Sequence, residues 1–374
     1  MMAPHAGLER RVLAALEATP PRIPVLLGGC GTGRTTALHA LGDRLGRDGC
    51  QYVDVERSAS TPERFYSAIS AAPPYGPAGG EAPRSAREAF DRTLAHLTRP
   101  HAGDRPATFL LDEVLELRTF ESFPGLRHVL RELLQALTDS SNRFVLTSRY
   151  VTRAHRLLRD ASARFEVVHL PPLSPGEVNG MLPAMGNAAV EDREYMSRTI
   201  QALSDGRAAY VRAISEAAAG VSGHAGDPIS ALTALLTSDG ALASWCGYRY
   251  ELRLHRARGY GALKAILEIL ADEEPLTLTE IAHRLQRTPG STKDYLSWLE
   301  DVDLVGSRQK RYSFSDPLLR LWVRLHCRPV PPGVDEVARE VQGYALARLP
   351  QAEPSMAMAA AGPGRKGWGI IEID

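Results

Sequence analysis

The sequence predicts an α/β protein in which a parallel sheet with helices on both faces precedes a helical C-terminal part. Two observations lead to this prediction. Five short apolar runs alternate with amphipathic segments between residues 7 and 170, and a long helical pattern follows them. Closer to the C-terminus, three helical segments precede a two-stranded ribbon, which is the order of elements in a winged helix. The length of 374 residues is typical of two or three domains.

Composition excludes several classes of protein. Lys+Arg and Asp+Glu each number 44, so the formal net charge is zero and gives no bulk electrostatic attraction to nucleic acid. No run approaches the roughly 18 apolar residues that a membrane span needs. Residues 1–21 carry Glu9 ahead of a short apolar run and lack a secretory cleavage site. We therefore expect a cytoplasmic protein without a membrane segment.

The cysteines predict neither a zinc site nor a disulfide framework. Cys30, Cys50, Cys246 and Cys327 are too scattered to ligate one zinc ion and too few to cross-link a chain of this length. We expect four reduced thiols.

The predicted strands and helices alternate in chain order. The strands are residues 22–27, 51–55, 108–111, 143–147 and 164–170, and the helices are residues 7–18, 34–45, 85–97 and 123–137. Residues 71–84 are rich in proline and glycine, which predicts a mobile surface loop. Parallel strands connected in this way bring their carboxyl ends to one edge of a sheet.

A helical lid is predicted to follow the sheet. Residues 174–219 have a helical pattern that begins with Ser174 as N-cap, Pro175 at the first helical position and Glu177 three residues after the cap. We divide the chain into a sheet domain at 1–172, a helical lid at 173–225, a helical linker at 226–255 and a winged helix at 256–328. A C-terminal extension at 329–374 ends in a tail whose composition predicts disorder.

The segment between the first predicted strand and the next helix carries the strongest chemical signal. It matches a phosphate-binding loop at both end glycines and at the hydroxyl position, and its location disfavours a glycine-rich connection without a ligand. In such a loop backbone N–H groups point at a phosphate, the following helix adds its positive N-terminal dipole, and Thr35 is the expected Mg²⁺ ligand. The residues assigned to nucleotide binding here are Gly28, Gly29, Cys30, Gly31, Thr32, Gly33, Arg34, Thr35 and Thr36.

Arg34 stands where this motif has lysine. Lysine offers a compact ammonium that fits between β- and γ-phosphates, whereas the guanidinium of arginine is longer, planar and forked. Because arginine keeps the charge, we expect nucleotide binding to survive the replacement better than hydrolysis. Arg34 is assigned both to phosphate binding and to catalysis.

Two carboxylates follow the predicted strand at 108–111. Asp112 and Glu113 would reach the same edge of the sheet as the loop, because parallel strands end together there. Asp112 suits the outer shell of a magnesium ion, and Glu113 can polarise a water for in-line attack on a γ-phosphate. An apolar run ending in two acids is weak evidence for such a site on its own. It is strong evidence when it follows a phosphate-binding loop in the chain.

A third group of candidates follows the next strand. Ser148 can align the attacking water, and Arg149 can contact the γ-phosphate and report its presence, the alternative being that Arg149 solvates the helix that follows. Arg153, Arg156 and Arg159 lie at helical spacing after it, so one of them is a candidate arginine finger towards a neighbouring subunit. We favour a solvated basic face as the explanation of that spacing.

Together these segments resemble the archaeal-type ATPases of the STAND and AAA+ branches of P-loop NTPases. The resemblance rests on the loop, the FLLDE and FVLTSR strands, the LPPLSPGEV transition and the DPLLRLW segment within 316–322. It implies a P-loop NTPase sheet, ATP and Mg²⁺ as ligands, metal and water chemistry at Asp112 and Glu113, and nucleotide sensing near Ser148 and Arg149. In the family a proline at the strand-to-lid junction touches adenine, so Pro171 or Pro172 is the candidate here.

The predicted winged helix is not clearly a DNA reader. Between residues 256 and 328 there are 12 basic and 10 acidic side chains, and the presumed recognition helix has Lys293 against Asp294, Glu300 and Asp301. Such a helix repels phosphates as much as it attracts them. We therefore favour a contact with protein, either within the chain or with a partner, over specific DNA readout.

Two functions remain open from the sequence. The first is a switch in which ATP·Mg²⁺ and slow hydrolysis control a surface for a partner protein, with a homo-oligomer as an option. The second is a DNA-binding regulator in which nucleotide is a sensory ligand and chemistry is marginal. The terminal residues 369–374 are a candidate docking peptide, with a plain disordered tail as the alternative.

Overall fold

The computed structural model describes residues 6–46, 49–72, 74–75, 81–100, 106–182, 190–219 and 226–349. A five-stranded parallel sheet forms the first part, with strand order β2-β3-β4-β1-β5. The strands are β1 (Ile23–Leu27), β2 (Cys50–Asp54), β3 (Thr108–Asp112), β4 (Arg143–Ser148) and β5 (Phe165–His169). The predicted parallel α/β sheet is confirmed.

Helices cover both faces of the sheet. They are α1 (Ala6–Glu17), α2 (Arg34–Leu45), α3 (Val55–Ser58), α4 (Pro62–Ser70), α5 (Ala86–Thr98), α6 (Val129–Asp139) and α7 (Val151–Leu158), with a 3-10 helix at Val114–Ser122. Helices α3 and α4 were not predicted from the sequence. Helix α6 begins later than predicted, because the 3-10 helix and a turn occupy the residues after β3 and the α-helix starts only at Val129.

The two faces of the sheet bury separate cores. Leu26 and Leu110 join the cluster beneath α1 and α2, whereas Val25, Leu27 and Leu111 join the larger cluster on the opposite face. Successive side chains of a strand point to opposite faces, so a strand buried on both sides must be apolar at every position. This explains why the strands appear in the sequence as continuous apolar runs.

Strand β4 lies between β1 and β3 and aligns their carboxyl ends. Leu27 of β1 pairs with Ser148 of β4, while Leu111 of β3 pairs with Leu146 of the same strand. The residues that follow β1, β3 and β4 therefore meet at one edge of the sheet, as the sequence pattern predicts.

The lid contains α8 (Pro175–Met181), α9 (Val190–Ser204) and α10 (Ala208–Ala219). Ser174 and Glu177 form the predicted capping box at the start of α8. Gly206 turns the chain into α10 with a φ of +64°, and a Cβ there would lie 2.7 Å from Cβ of Pro172 and 2.8 Å from the backbone nitrogen of Leu173. Only glycine fits this turn, because both the backbone conformation and the space exclude a side chain.

The C-terminal part is helical with one small antiparallel sheet of order β6-β8-β7. Its elements are α11 (Pro228–Leu236), α12 (Ala241–Arg256), α13 (Tyr260–Asp272), β6 (Leu276–Thr277), α14 (Leu278–Leu285), α15 (Pro289–Asp301), β7 (Val305–Arg308), β8 (Arg311–Phe314), α16 (Pro317–His326) and α17 (Val334–Leu346). The three helices and the ribbon lie in the predicted order. The tail from residue 350 onward, including 369–374, is outside the described residues.

Asp316 fastens this C-terminal part to the lid. Its carboxylate accepts hydrogen bonds from the backbone of Leu318 and Leu319, which caps α16. The same carboxylate accepts a 2.7 Å hydrogen bond from the buried Tyr210 hydroxyl and lies 3.4 Å from the Arg207 guanidinium. Asp316, the first residue of the DPLLRLW segment, thus has two roles: it caps α16 and it binds two side chains of the lid.

Two acids at the end of α15 face the sheet domain. Asp301 pairs with Arg156 at 3.1 Å and with Arg153 at 3.8 Å, both on α7. Asp303 lies beside the loop after β1, since a Cβ on Gly29 would be 3.2 Å from its Oδ2. The end of the presumed recognition helix is therefore docked within the chain. Within the described ranges, every helix is too short or too polar to span a bilayer.

Asp303 gives this docking a pH dependence. Burial raises the pKa of Asp303 from 3.8 to about 6, although the charges of Arg253 and Arg207 act in the opposite direction. The folded chain holds this proton more tightly than the unfolded chain, so ionised Asp303 costs stability that grows between about pH 4 and pH 6 and persists above it.

We predict that Asp303→Asn melts higher than the wild type at pH 8, by about 2–6 °C, and that this difference shrinks towards pH 4. Asparagine tolerates the left-handed backbone at this position, where φ is 55°. Melting curves across this pH range make the test, with Asp294→Asn on the exposed side of α15 as the control. A difference that does not vary with pH would contradict the assignment.

Candidate nucleotide-binding site

The loop between β1 and α2 requires its glycines. Gly31 and Gly33 adopt positive φ angles of 78° and 99°, which other residues rarely tolerate. A Cβ on Gly28 would lie 2.7 Å from Oγ1 of Thr32, and one on Gly29 would lie 2.8 Å from the Arg207 guanidinium. The backbone of the loop therefore approaches its neighbours more closely than a side chain allows.

Helix α2 begins at this loop with free backbone donors. Its N-cap is Gly33, which has no side chain to accept from the first turn. The unsatisfied N–H groups and the positive end of the helix dipole form an anion site when they border an open cavity.

Thr35 and Asp112 form a hydroxyl and carboxylate pair in front of α2. The Thr35 hydroxyl donates to Oδ2 of Asp112 at 2.7 Å, and the Tyr52 hydroxyl donates to the same oxygen at 3.0 Å. The Thr147 hydroxyl donates to the other oxygen, Oδ1. Burial and the adjacent Asp112 charge raise the pKa of Tyr52, so its hydroxyl remains a donor. Asp112 thus accepts three hydroxyl hydrogen bonds and is held beside Thr35.

Glu113 is buried and held between two guanidinium groups. Its Oε1 accepts a 2.6 Å hydrogen bond from Arg34. Its Oε2 accepts a 3.0 Å hydrogen bond from the backbone of Arg149 and lies 3.3 Å from Nε of that side chain. The Glu113 backbone has a φ of 58° and donates to the Thr147 hydroxyl at 2.9 Å. This left-handed turn directs the carboxylate away from β3 and into the site.

The charges around Glu113 fix its protonation state. Burial raises the pKa of this carboxyl, but the charges of Arg34 and Arg149 outweigh burial and hold the pKa below its usual value. Burial lowers the pKa of Arg149, and the opposite charge of Glu113 outweighs that and raises it. Glu113 is therefore a carboxylate in this structure, and its low proton affinity makes it a weak base while both arginines remain bound.

Arg34 closes over the loop instead of extending into the open cavity. One terminal nitrogen donates to the carbonyl oxygens of Gly28 and Gly29, and the other pairs with Glu113. Nε of Arg34 is buried and has no hydrogen-bond partner. A lysine has a single nitrogen and cannot make these contacts in the same fork geometry. The arginine thus ties the phosphate loop directly to the carboxylate after β3.

Arg149 connects the site to the C-terminal part of the chain. Its guanidinium pairs with Glu56 at 2.5 Å and with Glu116 at 3.2 Å. Arg256 of α12 pairs with Glu116 at 2.5 Å and donates to the Tyr150 hydroxyl at 2.7 Å. Arg149 is 2% exposed, so the alternative that it merely solvates the following helix does not hold.

A cavity of about 300 Å³ lies in front of these groups. The lid contributes Ala208, Ala209 and Arg212 to its wall, and α12 contributes Trp245 and Arg249. The sequence-predicted residues that line it are Gly31, Gly33, Arg34, Thr35, Thr36, Asp112, Glu113 and Arg149. These residues come from the ends of β1, β3 and β4, as expected from a parallel sheet.

Other predicted site residues lie outside this wall. The Ser148 side chain is fully buried and accepts from the backbone nitrogen of Tyr150, so it does not reach the cavity. Pro172 packs against the turn at Gly206. Within the loop, Gly28, Gly29, Cys30 and Thr32 do not line the cavity, and the two glycines pack against Leu170, Arg207 and Asp303.

Two of the three arginine-finger candidates have a partner within the chain. Arg153 and Arg156 share the carboxylate of Asp301 within the same chain. Their positions at helical spacing serve the contact between α7 and α15, while Arg156 remains half exposed to solvent. Arg159 lies just beyond α7 and is exposed.

Four residues of the site were not among those predicted from the sequence: Thr147, Tyr52, Trp245 and Arg249. Thr147 stands directly before the predicted Ser148, and strand alternation assigns the two side chains to opposite faces. Tyr52 belongs to β2, whose carboxyl end lies at the same edge as the acids. Trp245 and Arg249 carried no signal, because nothing in the local pattern of α12 indicates which residues its face meets.

The donor set suits a magnesium nucleotide. Mg²⁺ in nucleotide sites takes one or two protein oxygens together with phosphate oxygens and waters. Thr35 and Asp112 supply such oxygens beside the free N–H groups of α2, and the glycine loop offers the close backbone approach that a phosphate needs. Among the described residues, no group of three or more His, Cys, Asp or Glu side chains forms a metal site of its own.

The parallel sheet, the glycine loop after β1 and the polar strand ends define a P-loop NTPase fold. No family model and no curated protein matches the sequence. Among solved structures, the chain is similar to the Walker-type ATPase paby2304 of Pyrococcus abyssi, with a TM-score of 0.63 and 17% identity over 86% of this chain and 96% of that one. The fold resemblance predicted from the sequence is confirmed.

Two further solved structures have lower scores. The Orc1 protein of Aeropyrum pernix, solved in complex with DNA, has a TM-score of 0.42 and 20% identity over 93% of this chain and 95% of that one. Cdc6p of Pyrobaculum aerophilum has a TM-score of 0.40 and 14% identity over 93% of this chain and 96% of that one.

The buried pair of Arg34 and Glu113 predicts a stability effect without any ligand. Arg34→Ala leaves Glu113 with only Arg149 to neutralise it, so the free energy of unfolding should fall by about 3 kcal/mol. The double variant Arg34→Ala, Glu113→Ala removes both charges and should recover part of that loss. Urea unfolding of both variants measures this.

Arg198→Ala is the matched control, because Arg198 and Glu194 form an exposed pair worth less than about 1 kcal/mol. If Arg34→Ala costs no more than this control, the charge of Glu113 does not depend on Arg34.

Proposed function

We propose that this protein is an ATP-binding and slowly hydrolysing molecular switch of the STAND or AAA+ kind, whose nucleotide state controls an interaction with a partner protein. The observation that carries the proposal is the convergence of Arg34, Thr35, Asp112 and Glu113 on one cavity at the carboxyl edge of the sheet. The reaction would be ATP plus water to ADP plus phosphate. We expect it to act in the cytoplasm.

The loop and α2 would bind the phosphates. Backbone N–H groups around Gly31 and Gly33 and the first turn of α2 would donate to phosphate oxygens. Thr35 would ligate Mg²⁺ and Asp112 would hold its outer shell. When bound, the ion would neutralise charge on the phosphates.

Glu113 would orient the attacking water and accept its proton, but its present contacts restrain that chemistry. Both carboxylate oxygens are occupied by arginine donors, which lowers the proton affinity of the group. Turnover therefore requires Arg34 to exchange Glu113 for a phosphate. Because this exchange must precede each turnover, we expect slow hydrolysis, which suits a switch better than a motor.

Interdomain contacts support the switching role. Residues of the lid and of α12 wall the same cavity as the loop, and Arg207 of the lid donates to the carbonyl of Cys30 at 3.0 Å and to that of Ser315. A movement of the loop would thus be transmitted through Arg207 to the C-terminal part of the chain. We propose residues 1–172, 173–225, 226–255, 256–328 and 329–374 as the functional units of this switch.

The first test is metal-dependent binding. Thr35→Ala removes the hydroxyl that would ligate Mg²⁺, so its affinity for ATP should fall about tenfold or more when Mg²⁺ is present and change little when EDTA is added. Thr35→Ser keeps the hydroxyl and should bind like the wild type. Calorimetry with ATP measures all three proteins, and an unchanged Mg²⁺-dependent affinity in Thr35→Ala would contradict the site.

The second test separates binding from hydrolysis. Arg34→Ala should lose both, since it removes the side chain that would neutralise the β- and γ-phosphates. Glu113→Gln should still bind ATP and hydrolyse it about 10² times more slowly, because an amide accepts no proton. Single-turnover assays measure the rate of ATP hydrolysis of each variant. The exposed-site variant Arg198→Ala, prepared in the same way, is the control for contaminating ATPase. Equal rates in the wild type and Glu113→Gln would reduce the protein to a nucleotide-binding scaffold.

DNA binding is the alternative function, and the docking of α15 argues against it. Asp301 at the end of this helix is paired with α7, so a DNA duplex would have to displace an intrachain contact. We expect the full chain to bind random duplex DNA no more tightly than about 10⁻⁵ M at physiological salt. Tight, salt-sensitive binding in a gel-shift titration would favour the DNA-binding regulator instead.

A further inference from the structure

Helix α12 presents one row of side chains to the nucleotide site and to the C-terminal part. Trp245, Arg249, Arg253 and Arg256 follow one another at spacings of four, four and three residues, which puts them on one face. Trp245 and Arg249 line the cavity. Arg253 donates to the backbone carbonyl of Asp303 at 3.1 Å, and Arg256 pairs with Glu116.

Arg249 forms no ion pair with a carboxylate among the described residues. Its terminal nitrogen lies 3.7 Å from Sγ of Cys30 in the loop, and its Nε is buried without a hydrogen-bond partner. Within the described part of the chain no carboxylate lies within ion-pair distance of it. Arg249 is half-buried at the cavity wall, so its terminal nitrogens can donate to a group that binds in the cavity.

Two other arginines of the cavity wall differ in this respect, whereas Arg212 of the lid, like Arg249, forms no ion pair among the described residues. Arg34 is neutralised by Glu113, and Arg149 is neutralised by Glu113, Glu56 and Glu116. The positive charges of Arg34 and Arg149 are thus paired with carboxylates of the same chain. Arg249 thus brings positive charge to the cavity wall that the neighbouring acids do not cancel.

Trp245 holds Arg249 in this orientation. The Arg249 guanidinium lies 5.2 Å from the centre of the Trp245 ring, which is a cation–π distance. The indole packs edge-on against Tyr210 at 5.4 Å, and a Cβ on Gly31 would lie 3.5 Å from its outer edge. The tryptophan therefore covers the tip of the loop and fixes the arginine beside it.

We infer that Arg249 binds the terminal phosphate of ATP in this site, supplied by α12 of the same chain, and that Trp245 is its positioning residue. The inference rests on the proposed function and deepens it. A guanidinium donates two parallel hydrogen bonds to phosphate oxygens, and Arg249 shares its cavity with Glu113. Because Arg253 and Arg256 continue the same helix, a terminal phosphate bound by Arg249 engages the element that holds Asp303 and Glu116.

The test compares ATP with ADP. Arg249→Ala should weaken binding of ATP·Mg²⁺ about 10- to 100-fold, as expected for a lost hydrogen bond to a charged group, and binding of ADP·Mg²⁺ less than threefold. Arg249→Lys keeps the charge and should recover part of the ATP affinity. Trp245→Phe should weaken ATP binding less than Arg249→Ala does, since a smaller ring still covers the guanidinium.

Calorimetry on the full chain gives the two affinities, and indole fluorescence gives an independent signal. ATP should change the emission of the wild type and not that of Trp245→Phe. Tyr248→Ala, on the exposed side of α12, controls for damage to the helix, and its ATP affinity should match the wild type. Melting curves establish that each variant is folded.

The outcomes separate this inference from the proposed function. If the wild type binds neither nucleotide, both fail together. If the wild type binds ATP while Arg249→Ala binds ATP equally well, or loses ATP and ADP to the same degree, the role of Arg249 is wrong and the proposed function stands.

Discussion

The architecture of this site depends on keeping one buried carboxylate charged. Glu113 is 6% exposed, and a lone carboxylate at that depth would take up a proton instead of staying ionised. Two guanidinium groups prevent this, and each comes from a different segment: Arg34 opens α2, and Arg149 follows β4. The loop, β3 and β4 are therefore held together by electrostatics at their ends as well as by the apolar packing beneath them. The replacement of lysine by arginine belongs to this arrangement, because the fork of Arg34 reaches Glu113 and the loop carbonyls together.

The position of β4 makes this clamp possible. If β1 and β3 were neighbours, their ends would lie one strand spacing apart, about 4.8 Å. With β4 between them the gap is doubled, and Thr147 fills it by donating to Asp112 and accepting from the backbone of Glu113. Strand order thus sets the distance between the loop and the acids, and the long arginine side chain suits that distance.

The sequence predicted the parts of this molecule in which local pattern and local structure coincide. The five apolar strands, the glycine loop, the acids after β3 and the capping box at Ser174 each have a short-range physical cause, and each is readable without tertiary information. The pattern could not reveal how Arg34 distributes its donors, why Ser148 faces Tyr150 while Thr147 faces the acids, or that Trp245 covers the loop. Most of those facts depend on contacts between residues distant in the chain, such as Arg34 with Glu113 and Thr147 with Asp112. The spacing of Arg153 and Arg156 likewise could not reveal their partner, Asp301, which is distant in the chain.

The straight row along α12 has a consequence for how this chain can vary in length. An α-helix turns by about 100° for each residue, so inserting or deleting one residue between Trp245 and Arg256 would rotate one end of the row away from its partners while the other end stayed in register. The loops on either side tolerate such changes at little cost. The number of residues between Trp245 and Arg256 is therefore fixed by the contacts at both ends. Insertions compatible with this fold belong outside this segment of α12.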